Sequence, residues 1–145
     1  MWRVRISALC RWNMADQRKF TDNDLFALPA VSIGAAVGAL ARYSLVSALP
    51  VAPGGFPLVT LLVNSGGCLL IGILMVAVAE AHRRVRLFLG TGLLGGFTTF
   101  SAYSEEVRAL LRFDAIPLAL AYLVCTVVFA LVAVAVGMKI GRRIA

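Results

Sequence analysis

The run Gly90-Thr91-Gly92-Leu93-Leu94-Gly95-Gly96-Phe97-Thr98-Thr99-Phe100-Ser101-Ala102-Tyr103-Ser104 lies inside an apolar stretch, yet it is rich in poor helix formers. Two adjacent glycines precede two β-branched threonines. Glycine is ~1 kcal/mol worse than alanine inside a helix, and threonine loses side-chain freedom there. Arg86 marks one flank of the stretch and Glu105 or Arg112 the other, so the weak run falls near its middle. In a membrane, a break at that depth frees backbone groups that lipid cannot satisfy, so they turn to protein, water or an ion. Transporters use broken helices at the midplane in this way. The same residues also suit a continuous helix with a tight packing seam of small side chains. Pattern alone leaves both readings open.

The rest of the chain sets this run in a membrane protein. Of 145 residues, 61% are hydrophobic and 14% charged; the mean hydropathy is +0.91. Soluble domains sit near about 45–50% apolar, so a soluble core of this size could not bury so much. The length suits one domain. Four apolar runs appear: Leu25–Leu49, interrupted only by Arg42; Phe56–Ala79; Leu87–Ser104, whose pattern continues toward Leu111; and Ile116–Met138. Each approaches or exceeds the ~20 residues that cross a ~30 Å hydrocarbon core. The expected fold is therefore an all-α membrane protein of four transmembrane helices, the third broken near mid-membrane. The turn Pro50–Gly55, the charged hinge Glu80–Arg86 and Arg112-Phe113-Asp114 are short, which makes sequential helices antiparallel neighbours. Residues 25–145 form the four-helix domain. Residues 1–24 are polar and basic, too poor in apolar residues for a signal peptide, and no folded element is placed there; translation from Met14 would remove the first 13.

The net charge of +7 does not point to nucleic acid, because the basic residues cluster at the ends of apolar runs. Arg3, Arg5, Arg11, Arg18, Lys19, Arg83, Arg84, Arg86, Lys139, Arg142 and Arg143 fall on one side; Arg42, Arg108 and Arg112 fall on the other. The positive-inside rule then places both termini in the cytoplasm. Cys10, Cys68 and Cys125 have no disulfide or metal-ligand spacing and read as small core residues. His82, in a basic loop without a nucleophile or metal partner, gives no sign of an enzyme.

Several polar residues lie inside the runs. Asn64 is expected to face the bundle interior, either in a pathway or in an interhelical hydrogen bond. Tyr122 and Thr126, four apart, share a helical face. Arg42 lies ~10 Å from the end of its run at ~1.5 Å per residue. It either snorkels to the interface or pairs with carbonyls or carboxylates at an aqueous vestibule. Gly34-x-x-x-Gly38 is a candidate packing motif.

Three motifs carry a resemblance. Gly95-Gly96-Phe97-Thr98-Thr99-Phe100-Ser101-Ala102-Tyr103-Ser104-Glu105-Glu106 resembles the third-helix signature of the Fluc (CrcB-like) fluoride channels, Gly-Gly-x-Thr-Thr-Phe-Ser-Thr-Phe-Ser followed by Glu. Gly34-Ala35-Ala36-Val37-Gly38-Ala39-Leu40-Ala41-Arg42-Tyr43 resembles that family's Gly-rich first helix ending in Arg. Thr60-Leu61-Leu62-Val63-Asn64-Ser65-Gly66-Gly67 resembles its second-helix Thr-x-x-x-Asn-x-x-Gly. The similarity covers roughly residues 28–140.

The resemblance implies an antiparallel, dual-topology dimer with two fluoride pores, in the plasma (inner) membrane. It implies a structural sodium ion at the dimer centre on the backbone carbonyls of Gly95 and Thr98, and no organic cofactor. Its pore residues correspond here to Asn64, Phe100, Ser101, Tyr103, Tyr122 and Thr126, with Arg42 at a vestibule or in a structural role. Fluoride is small and strongly hydrated, so hydroxyl and amide donors and aromatic edges suit it. An inside-negative potential drives an anion out by ~2.3 kcal/mol per 100 mV, so passive export needs no pump. Two departures stand out: Tyr103 replaces the second phenylalanine, and Ala130 falls where a further hydroxyl would extend the track. The charge bias also fits dual topology poorly, unless the chain starts at Met14 or pairs with an oppositely oriented partner chain. Rival classes are a small multidrug exporter, which needs a membrane-embedded carboxylate that the first run lacks, and a non-transporting membrane assembly protein.

Overall fold

The computed structural model describes residues 22–78 and 83–144. The basic segment up to residue 21, with Cys10 and Met14, and the hinge residues 79–82, with His82, lie outside the described residues. Every regular element among the described residues is a helix. Helix α1 is Asp22–Ala48, so it starts three residues before the apolar run and takes in the end of the polar segment. Helix α2 is Leu58–Ala77. The third run is two pieces. We label α3 the continuous stretch made of Arg83–Arg86, the π-helical Leu87–Leu94 and Gly95–Phe97. Helix α4 is Ser101–Arg112. Helix α5, Ile116–Ile144, runs beyond the last apolar residues through Lys139, Arg142 and Arg143.

Among the described residues, three spans are long and apolar enough to cross a membrane: Ala27–Ala48, Leu58–Ala77 and Ile116–Ile144. The third run is not counted with them, because it divides into α3 and α4. The division falls at Thr98, Thr99 and Phe100, where Thr98 is extended at φ −78° and ψ 151°. The helix therefore ends at the threonines, while Gly95 and Gly96 stay helical. The π-helical turns leading to the break were not legible in the composition. Their hydrogen bonds span one residue more than those of an α-helix, a form frequent at functional sites.

The packing partners differ from sequence order. Helix α1 packs chiefly along α3, and α2 along α5, with little contact between α1 and α2. Glycine notches explain the choice. A Cβ on Gly34 would lie 2.6 Å from the carbonyl oxygen of Phe88, and one on Gly38 would meet that of Leu93. The Gly34-x-x-x-Gly38 motif is thus the α1–α3 seam. Between α2 and α5, a Cβ on Gly72 would lie 2.5 Å from the carbonyl oxygen of Val134, and Gly137 abuts that of Leu69. In lipid, where apolar side chains gain nothing by leaving their surroundings, such close backbone approach is what holds helices together.

These contacts run α1 parallel to α3 and α2 parallel to α5, so apolar runs consecutive in sequence are antiparallel. Gly141 lies against Ile73 and Val76, so the basic end of α5 is beside the end of α2 that leads to Arg83–Arg86. The start of α1 is at that end too. At the opposite end, Phe113 touches Gly54, its Cβ 3.7 Å from where a glycine Cβ would stand. A small core of Leu61, Leu110, Ala119 and Tyr122 ties α2, α4 and α5 together, with Phe56, Tyr103 and Cys125 packed against it.

Candidate functional site

The break is held open from α2. Asn64 Nδ2 donates to the carbonyl of Thr99 at 3.0 Å, and the Thr99 N–H donates to Asn64 Oδ1 at 2.8 Å. One side chain thus replaces both helical partners of a single residue. An unmade buried hydrogen bond costs on the order of 1–3 kcal/mol, so this pairing makes the non-helical backbone tolerable. Gly67, one turn further along α2, lets the Thr98 methyl come close. The Thr98 hydroxyl donates to the Leu94 carbonyl at 3.0 Å, closing the end of α3. The Thr99 hydroxyl accepts the Ala102 N–H at 3.2 Å, capping the first turn of α4.

The carbonyls are satisfied less completely. Among the described residues, no backbone N–H outside the helical ladders reaches the carbonyl oxygens of Gly95 or Thr98. The donors four residues on, which would continue the helix, are used elsewhere: Thr99 N–H on Asn64 and Ala102 N–H on Thr99 Oγ1. Arg42 reaches the same region from α1, its Nε donating to the Gly96 carbonyl at 3.5 Å. Of the two readings for Arg42, the geometry matches pairing with a carbonyl.

A cavity of about 480 Å³ adjoins the break and is lined by Asn64, Phe100, Tyr103 and Thr126, with Gly95 and Thr98 among its walls. Six of the nine residues singled out in the sequence therefore meet at one place. Cys68 and Ala130 line it too. Phe100 is 79% exposed, and its ring centroid lies 5.7 Å from that of Tyr103. Tyr103 continues to Tyr122 at 5.3 Å, and Tyr122 meets Phe56 edge-on at 5.4 Å. Four rings thus form a ladder from the exposed lip into the core.

The other three residues fall outside the cavity wall. Arg42 is at Gly96. Ser101 shares a 3.2 Å hydrogen bond with the Thr99 hydroxyl beside the break. Tyr122 is fully buried one layer behind Tyr103, and its hydroxyl donates to Glu106 Oε2 at 2.6 Å. The Thr60 hydroxyl donates to the other oxygen, Glu106 Oε1, at 2.5 Å. Thr126 donates its one proton to the Tyr122 carbonyl at 2.8 Å. The hydroxyl protons of Thr126 and Tyr122 are therefore engaged within the chain, which spacing could not reveal.

Thr60 and Glu106 were not singled out from the sequence. The signal was present: Thr60 is one helical turn before Asn64, and Glu106 is three residues after Tyr103, each on the face of its neighbour. Both also line a second cavity of about 370 Å³ under the Pro50–Gly55 turn. On the outer face of α4, Glu105 pairs with Arg108 at 2.9 Å and approaches Arg112 at 3.9 Å.

A chain of apolar helices with a side-chain-held break, unclaimed carbonyls and an aromatic-lined cavity has the elements of a membrane ion pathway. The chain belongs to the CrcB-like family: the family profile described as CrcB-like protein, Camphor Resistance (CrcB), matches residues 29–138. It is 49% identical over 118 residues to fluoride-specific ion channel FluC 2 of Nocardia farcinica, covering 79% of this chain and 84% of that one. It is 46% identical over 117 residues to fluoride-specific ion channel FluC 1 of Streptomyces coelicolor, covering 79% and 76%. It is 44% identical over 115 residues to fluoride-specific ion channel FluC of Paracoccus denitrificans, covering 77% and 91%. These relatives are named as channels, not enzymes.

Proposed function

We propose that this chain is a fluoride-selective passive channel that lets cytoplasmic fluoride leave across the plasma (inner) membrane. The observation that carries the reading is the cavity at the helix break, where Asn64, Phe100, Tyr103 and Thr126 share one wall in a chain whose relatives are named fluoride-specific channels.

A dehydrated fluoride needs hydrogen-bond donors close around it. Asn64 spends one amide hydrogen on Thr99 and keeps the second, since an amide nitrogen carries two. The Thr126 hydroxyl turns from the Tyr122 carbonyl toward the ion. The rings of Phe100 and Tyr103 offer positive edges to an anion. Tyr122, Thr60 and Glu106 stand behind this wall, and Ser101 stands at its rim. A close-walled path of this kind admits fluoride and excludes the larger chloride. The membrane potential, worth ~2.3 kcal/mol per unit charge per 100 mV, drives the anion outward.

The same reading includes a structural sodium ion on the carbonyls of Gly95 and Thr98. Their fit is supported by the absence, among the described residues, of backbone donors to either oxygen outside the helical ladders; carbonyl oxygens are suitable ligands for an alkali cation. Two oxygens do not complete a coordination shell, so a second copy, antiparallel to the first, supplies the rest and closes the cavity. Bound there, the ion offsets negative potential next to the anion path.

The test is ion efflux from liposomes that hold the purified protein. Fluoride should leave quickly and chloride should not. Equal rates for the two ions would end the selective-channel reading.

A further inference from the structure

We propose that the groove between α2 and the π-helical part of α3 binds an acyl chain of an anionic phospholipid, whose headgroup rests on the basic turn at Arg84 and Arg86. The groove holds about 310 Å³; Leu70, Leu74 and Val78 line one wall, and Leu89, Leu93 and Leu94 the other. None of the residues lining it lines the cavity at the break.

The groove's direction and depth select the occupant. Helices α2 and α3 run antiparallel, so Val78 and Leu89 are nearest the basic turn, while Leu70 and Leu94 are deepest. From Val78 to Leu70 the groove descends ~12 Å at ~1.5 Å per residue. One leaflet of a ~30 Å hydrocarbon core is ~15 Å deep, so the groove matches a single acyl chain entering from the interface. Charge complements that direction. Arg84 and Arg86 lie at the shallow end, where an anionic headgroup would lie. Arg86 leans onto α2, with Nη2 donating to Met75 Sδ at 3.2 Å, which sets its guanidinium beside the groove. A second copy of the chain is a poorer fit, because a slot this short is far below the ~800 Å² per partner that a stable protein interface buries.

The experiment is native mass spectrometry of the delipidated full chain, titrated with phosphatidylglycerol or with phosphatidylcholine of the same acyl chains. The wild type should retain phosphatidylglycerol more strongly, by roughly fivefold for each arginine that contributes. Arg84→Gln with Arg86→Gln should reduce phosphatidylglycerol to the level of phosphatidylcholine. Leu74→Trp, which fills the groove, should remove retention of both. Equal binding of the two lipids by the wild type, or unchanged binding by Leu74→Trp, would overturn the proposal. A phosphatidylglycerol with a photoreactive acyl chain gives a readout on the wild type that does not depend on a variant folding. It should label Leu74 and Leu93; labelling spread evenly to Leu131 and Leu120 on α5 would contradict the site. So would a cysteine at position 89 that forms disulfides between copies, since that would assign the groove to a second chain.

Discussion

Asn64 supports the non-helical backbone and also lines the cavity, so its replacement has two separable effects. Asn64→Ala leaves the N–H and carbonyl of Thr99 without partners, and should lower stability by about 2 kcal/mol, read as a fall in Tm in detergent, together with loss of fluoride flux. Asn64→Asp keeps an acceptor for the Thr99 N–H but sets a buried carboxylate oxygen against the Thr99 carbonyl, so its loss of Tm should be at least as large. Tyr103 is the position where this chain departs from the signature it otherwise resembles. Its hydroxyl points to the Leu123 carbonyl at 3.4 Å, a long bond that contributes little, while its ring lines the cavity. Tyr103→Phe should therefore conduct fluoride as the wild type does, whereas Tyr103→Ile, which interrupts the ring ladder, should conduct poorly. Liposome efflux compares the two directly. A large loss in Tyr103→Phe would place the hydroxyl itself in the path.

At the scale of elements, backbone proximity decides the arrangement. Gly38→Ala puts a Cβ into the Leu93 carbonyl and should destabilise the α1–α3 seam by about 1–3 kcal/mol. Gly66→Ala meets nothing within 4 Å inside the chain and should leave the Tm of the isolated chain unchanged or slightly raised, since alanine is the better helix former. The two substitutions are chemically identical, so thermal unfolding separates packing from propensity. The four apolar runs and the weak point between residues 95 and 99 were legible in the sequence, because hydropathy and helix propensity are local properties. The exact break, the π-helical turns and the pairing of α1 with α3 and α2 with α5 were not. Each depends on which glycine notch meets which backbone, a long-range match. The Gly137 and Gly141 notches escaped notice in the sequence for the same reason. At the site, Asn64 and Thr126 stood out as polar residues inside apolar runs, whereas Phe100 and Tyr103 were singled out only by the resemblance of the third-helix motif. The Thr60–Glu106–Tyr122 cluster was not, because it joins three elements, and its acidic member looked like part of an interfacial charge cluster.

For the whole molecule, the surface raises the question of what covers it. Phe100, Tyr43 and Leu131 are among many large apolar residues that stand exposed on the single chain. Lipid covers such side chains at no loss, but the carbonyls of Gly95 and Thr98, which among the described residues take no backbone donor outside the helical ladders, need polar company. An antiparallel second copy with a shared sodium ion would satisfy them. Exchanging sodium for a bulky organic cation should then lower the Tm of the purified protein and shift it toward single chains on a sizing column; no change in either would remove the ion from the account. The charge distribution bears on orientation. Arg83–Arg86 and Lys139–Arg143 share one end of the molecule, as the parallel packing of α2 and α5 requires. A cysteine-accessibility map that found every copy in one orientation would exclude an antiparallel homodimer and leave an oppositely oriented partner chain as the alternative.

The central claim is that fluoride passes through the cavity beside the break, and Phe100 tests it most directly. Its ring is mostly exposed, so Phe100→Ile removes an aromatic edge from the cavity wall with little effect on the packed core. Fluoride efflux from liposomes should fall sharply in Phe100→Ile while its Tm stays at the wild-type value. Normal fluoride efflux through Phe100→Ile would contradict the assignment of this cavity as the path.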